Sequence, residues 1–250
     1  MMTETGSLVL LAGEIMLKNG AETSRVEETM RRMGKALGAA SVDSFVIPTG
    51  VFVTLVSHNN ESITLLRRVA ARTINLDRID KVNELSHRLV DHRIGSESVQ
   101  PLLLRIAGER TGFSLLPSMM ASGIVGGGFA VLQHGAFLDV VAAFVAAFLV
   151  RLLAHLVSRF HGVTFTHEFL GAVLAAAIGL FCSSAWPGLH SDIMISGGIM
   201  PLVPGVAVTN GIRDVIAGDL LSGISRSLEA ALTSGAVAMG VILVVAMAAE

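Results

Sequence analysis

The sequence predicts an α-helical polytopic membrane protein of about five transmembrane helices with a small N-terminal α+β cytoplasmic domain. Two observations predict it. From residue 115 onward the chain is a series of apolar runs, at 115–132, 137–153, 169–185, 193–208 and 230–249. Each is close to the roughly 20 helical residues that cross a hydrocarbon core of about 30 Å. Charge is distributed to match: of the 18 Lys and Arg, 14 precede Thr111, and of the 20 Asp and Glu, 13 do, because ions transfer into lipid at high cost. Residues 1–112 are thus expected to form a head and residues 113–250 a transmembrane bundle.

In the head, residues 6–37 have helical spacing, with Val26, Met30, Met33 and Leu37 on one apolar face. Gly20 breaks or bends this stretch, which allows two helices. Residues 44–47 and 51–57 flank Pro48-Thr49-Gly50 and are rich in β-branched and aromatic side chains, the pattern of a hairpin. Residues 63–69 suit a third strand. Asn75 is placed to cap a helix over 76–90, Gly95 ends that unit, and residues 98–108 form a last amphipathic helix before the membrane.

Several classes of chemistry are absent from the pattern. The net charge of −2 and the lack of a basic, aromatic-interleaved stripe exclude a nucleic-acid partner. The single cysteine, Cys182, rules out an intramolecular disulfide. The N-terminus lacks the basic n-region of a secretory signal. His58, His87 and His92 share no metal-ligand spacing, and His161 and His167 do not form a His-Glu-x-x-His motif. No phosphate loop, Gly-x-Ser-x-Gly or cofactor motif is present, so neither an enzyme nor a metal site nor a cofactor is expected.

In the membrane half, basic residues alternate between the connections. Arg105 and Arg110 precede the first span, Arg151 and Arg159 follow the second, and Arg213 and Arg226 follow the fourth, whereas the loops near His134 and between 186 and 192 have none. Basic flanks stay cytoplasmic, which places the N-terminus inside and the C-terminus outside. Small residues (Gly123, Gly126, Gly127 and Gly128; Gly171, Ala175 and Gly179; Gly235 and Gly240) let helices approach closely and suit a tight bundle or a homo-oligomer.

The fourth span holds Pro201 and Pro204, three apart, followed by Gly205. Two backbone donors are lost there. Either this is a kink needed for packing or it is a broken helix lining a wet cavity, as transporters use. Thr209, Asn210, Arg213, Asp214 and Asp219 come next. Arg213 has the planar fork that holds a carboxylate, with Asn210 and Thr209 beside it. A partly buried Asp214 or Asp219 would serve as a proton-coupling group. The alternative for this cluster is a cytoplasmic surface that enforces topology. Arg151, one turn from His155, either snorkels to the headgroups or faces a substrate path. His134, His167 and Glu168 mark span edges.

These motifs carry a resemblance. Gly-Ala-Glu-Thr-Ser-Arg-Val-Glu (residues 20–27), the Pro-Thr-Gly hairpin (48–50), Met-Pro-Leu-Val-Pro-Gly-Val-Ala-Val-Thr-Asn-Gly-Ile-Arg-Asp (200–214) and Ala-Gly-Asp-Leu (217–220) resemble the threonine/serine exporter family over nearly the whole chain. Within it, the likeness is to the subunit type of two-component bacterial succinate exporters. The resemblance implies an inner-membrane exporter of small carboxylates, succinate-like or threonine/serine, and a separate small membrane subunit of about four spans as partner. The expected function is therefore a proton-gradient-driven efflux subunit. The competing expectation is a membrane sensor or scaffold whose head docks a partner.

Overall fold

The structure is a computed structural model that describes residues 2–70, 73–109, 112–157 and 165–249. Arg110, Arg159 and His161, three residues used in the sequence argument, lie outside the described residues. The chain divides into two compact units. One comprises Met1–Gly112 with Val208–Ser227, the other Phe113–Ala207 with Leu228–Glu250.

The first unit opens with α1 (Met2–Lys18) and α2 (Thr23–Ala36). Gly20 separates them by ending α1. It adopts φ 92°, a conformation that glycine reaches without steric cost. The Gly20 N–H then donates to the Leu17 carbonyl and the Ala21 N–H to the Met16 carbonyl, which satisfies the last turn of the helix. Strands β1 (Ser41–Ile47), β2 (Gly50–Val56) and β3 (Ser62–Arg68) form an antiparallel sheet in the order β1-β2-β3. Ile47 pairs with Gly50, so Pro48-Thr49 is a two-residue turn. The hairpin expected from the Pro-Thr-Gly signal is present, and β1 begins three residues earlier than the pattern suggested. Helix α3 (Leu76–Val90) starts where the Asn75 side chain accepts the Arg78 N–H at 3.1 Å, the cap read from the sequence. Helix α4 (Val99–Gly108) follows a short 3-10 turn. The core between helices and sheet holds Val9, Met16, Met30, Met33, Val51, Leu55, Val82 and Leu103, all buried. The helical stripe Val26, Met30 and Met33 faces it as the spacing required.

The second unit is helical. It contains α5 (Leu115–Leu132), α6 (Phe137–Val157), α7 (Thr166–Ala185) and α8 (Ser191–Ile199). A 3-10 turn at Met200–Leu202 leads to α9 (Gly205–Ile216), and α10 (Leu220–Ala249) ends the chain. Among the described residues, four helices (α5, α6, α7 and α10) are long and apolar enough to cross a membrane, and the bent pair Ser191–Leu202 with Gly205–Ile216 makes a fifth if it is one span. Small residues set the packing, as they must where lipid offers no hydrophobic drive between helices. A Cβ at Gly126 would lie 2.5 Å from Ala147 Cβ and 2.8 Å from the Gly197 carbonyl oxygen. Here α5, α6 and α8 meet nearly backbone to backbone. At Gly240, a Cβ would come within 2.6 Å of the Phe169 carbonyl oxygen, which fixes α10 against α7.

Helix α6 runs four residues beyond the expected 137–153 and α7 starts three before 169, and two larger differences stand out. The fourth run is not one helix over 193–208; it stops at Leu202 and restarts at Gly205. The last helix begins at Leu220, ten residues before the apolar run, because its first two turns carry a polar face that is bonded within the first unit.

Candidate functional site

The break is local chemistry. Pro204 disfavours the helical region for the residue before it, and Val203 is extended, with φ −65° and ψ 126°. Pro201 sits in the 3-10 turn, where its missing N–H is least costly. The two helices flanking Val203 and Pro204 are bent by 61°.

Beside this break the second unit has a cavity of about 110 Å³. It is lined by Ser122 of α5, Val150, Arg151 and Ala154 of α6, His167 and Glu168 of α7, and Pro201 and Leu202. Tight packing shapes it. A Cβ at Gly171 would lie 3.0 Å from Leu202 Cδ1 and 3.2 Å from Val150 Cγ1. Ser122 donates to the Ala147 carbonyl at 2.8 Å, so its hydroxyl satisfies a backbone group and still offers an acceptor. Arg151 is exposed. Glu168 is mostly buried, and its Oε2 lies 3.0 Å from His167 Nδ1. Of the residues proposed from sequence, Arg151 and Pro201 are brought together here. Glu168, His167 and Ser122 were not proposed. Glu168 had a signal: it is one of seven acids after Thr111, in a region from which charge is otherwise excluded.

Asn210, Arg213 and Asp214 belong to a different cluster, inside the first unit. Four consecutive residues of the 20–23 turn are held by α9 and α10. Asn210 Nδ2 donates to the Gly20 carbonyl at 2.9 Å, and Arg226 donates to the Ala21 carbonyl at 2.7 Å. Arg213 pairs with Glu22. The Asp214 carboxylate accepts the Thr23 N–H at 3.2 Å and its hydroxyl at 3.3 Å. Glu22, the residue before α2, supplies no side-chain cap, so Asp214 caps this helix from a distant segment and meets its positive end. Arg226 Nε lies 3.0 Å from Asp214 Oδ2, and both side chains are almost fully buried. Glu27 adds a further carboxylate: burial pushes it up from its ordinary value, although it accepts the Val46 N–H at 3.0 Å. Asp219 is half-buried at the start of α10, and Thr209 and Gly205 are exposed on α9.

The two conspicuous motifs, residues 20–27 and 200–214, are therefore partners. The sequence profile of the threonine/serine exporters (ThrE) matches residues 7–248. The chain belongs to the threonine/serine exporter family. Among relatives in this family, the "Probable succinate transporter subunit YjjP" of Klebsiella aerogenes is 25% identical over 245 residues, covering 93% of this chain and 89% of the relative. Its Escherichia coli K12 namesake is 25% identical over 237 residues, covering 94% and 91%. The "Threonine/serine exporter" of Corynebacterium glutamicum is 20% identical over 241 residues, covering 94% of this chain but 49% of that longer protein. No solved structure matches the chain. As an exporter-family member with four or five apolar helices among the described residues, the chain is a multi-pass membrane protein.

Proposed function

We propose that this chain is the larger membrane subunit of a proton-coupled exporter of small carboxylates, a succinate-like dicarboxylate or threonine/serine. It acts with a second, small membrane subunit of four spans. It lies in the bacterial cytoplasmic membrane, with the N-terminus and head in the cytoplasm and the C-terminus outside. The names of the relatives support the substrate class and, for the YjjP proteins, the subunit role.

The observation that carries the reading is the small cavity where Arg151 shares a wall with the break at Pro201. Irregular backbone at membrane depth survives where it is buried in protein or lines a wet cavity. A guanidinium is the side chain best suited to a carboxylate, which it can grip through two parallel hydrogen bonds. In this reading Arg151 holds the substrate, Pro201, Pro204 and Gly205 keep the helix open, and the Asn210, Arg213 and Asp214 cluster secures the 20–23 turn rather than touching cargo.

Proteoliposomes test it. Efflux of labelled succinate, threonine and serine is measured with this chain alone and with the second subunit. Flux is expected with both, and Arg151→Ala should lower it about tenfold or more, the cost of one lost charged hydrogen-bond partner. Undiminished flux in a variant of unchanged melting temperature would remove Arg151 from the path. A reconstituted pair that moves none of the three would sink the exporter reading.

A further inference from the structure

We propose that Glu168, a mostly buried carboxylate whose Oε2 has no hydrogen-bond partner among the described residues, is the proton-carrying group of the Arg151 cavity, and that a carboxylate binds there together with a proton. The inference rests on the exporter reading and deepens it by assigning the coupling group and the sign of coupling. Among the described residues, Arg151 and Glu168 are the two full charges on the cavity wall, and His167 is its third ionisable group. The other ionisable helical side chains of the second unit, Asp139 and His155 of α6, Cys182 of α7, Asp192 of α8 and Glu229 of α10, do not line it.

The electrostatics follow from the size of the space. In a cavity of about 110 Å³, a ligand carboxylate that reaches Arg151 must come near Glu168. Two carboxylates cannot both stay charged at such range beside one guanidinium without strong repulsion. Proton uptake by Glu168 removes that repulsion, leaves Arg151 to the ligand and turns Glu168 into a donor. His167 Nδ1, 3.0 Å from Glu168 Oε2 and itself half exposed, gives the proton a route to and from water. Ligand and proton therefore favour each other's binding, and by linkage the effect is reciprocal. A dicarboxylate leaving with one proton still carries one negative charge, which a membrane potential negative inside drives outward. An inward proton gradient opposes this step, which thus departs from the proton-gradient-driven efflux expected from the sequence.

The decisive experiment is equilibrium binding of succinate and of threonine to the purified full chain, with its second subunit, at pH 6.5 and pH 8.5. The wild type should bind about tenfold tighter or more at pH 6.5, as one linked proton allows. Glu168→Gln should bind equally at both values, and at least as tightly as the wild type at pH 6.5. Glu168→Asp, which keeps a titratable carboxyl, should retain the pH dependence and serves as the folding control. His167→Gln should bind with its pH dependence largely intact. If Glu168→Gln keeps the full pH dependence, or if His167→Gln alone abolishes it, the assignment to Glu168 is wrong. Wild-type binding that does not change with pH overturns the linked proton while leaving the exporter reading standing. Absence of binding and flux at both pH values overturns the exporter reading as well.

Discussion

Asp139 shows how much one side chain can organise in a bundle with few charges. It is fully buried at the start of α6. Its carboxylate accepts the Ala136 N–H at 3.0 Å, the His190 N–H at 2.9 Å and a hydrogen bond from the His190 ring at 2.9 Å. One group thus ties the α5–α6 loop to the α7–α8 loop. Hydrogen bonding to Asp139 raises the His190 imidazole above its ordinary value. A raised folded value means that the bond stabilises the fold fully below the unfolded value and ceases to do so as pH rises through the folded one. We expect His190→Gln to lower the melting temperature measurably at pH 6 and progressively less towards pH 9, read by thermal unfolding in detergent. A deficit that is constant with pH would show that the charge on His190 is irrelevant.

At the scale of elements, contact distances separate glycines that look alike in sequence. Gly126 and Gly128 are two residues apart on α5, yet a Cβ at Gly126 would meet Ala147 at 2.5 Å while one at Gly128 meets nothing within 4 Å. Overpacking of this kind costs about 1–3 kcal/mol. Gly126→Ala should therefore lower the thermal stability of the purified protein, and Gly128→Ala should leave it unchanged or slightly raised, since alanine is the better helix former. Equal effects at both positions would refute the close approach of α5 to α6 and α8. Much at this scale was legible beforehand. Helical stripes such as Val26, Met30 and Met33, the Asn75 cap and the turn at Pro48-Thr49 are local signals, each set by a few neighbouring residues. The extent of α10 was less legible because hydropathy looks for apolar runs. Asp219, Ser222 and Arg226 recur at three- and four-residue spacing, which is a polar helical face. Ser222 donates to the Val46 carbonyl and Arg226 to that of Ala21. The cavity was half legible: Pro201 and Arg151 stood out, but only the fold could bring Glu168 and His167 of another helix to the same wall.

For the whole molecule, the instructive fact is that the first unit is discontinuous. Residues 1–112 are completed by residues 208–227, so the head signalled by its charge is missing a piece. Proximity of residues 20–23 to 208–226 is a property of tertiary structure, and nothing in local spacing reports it. Breaking a buried ion pair by removing one charge costs about 3–5 kcal/mol. Asp214→Asn should loosen the first turn of α2, visible as faster amide exchange at Thr23 and Val26, while exchange in α3 stays slow. If Thr23 and Val26 remain equally protected, Asp214 does not cap that helix. If α3 exchanges faster too, the first unit unfolds as one body and Asp214 serves its overall stability.

The grip of Asn210, Arg213, Asp214 and Arg226 on Gly20, Ala21, Glu22 and Thr23 also constrains how such exporters can be recombined. Two stretches almost two hundred positions apart behave as one heritable part. A hybrid gene joined anywhere between them would take its lock from one parent and its key from the other, and should fail unless the parents agree at both.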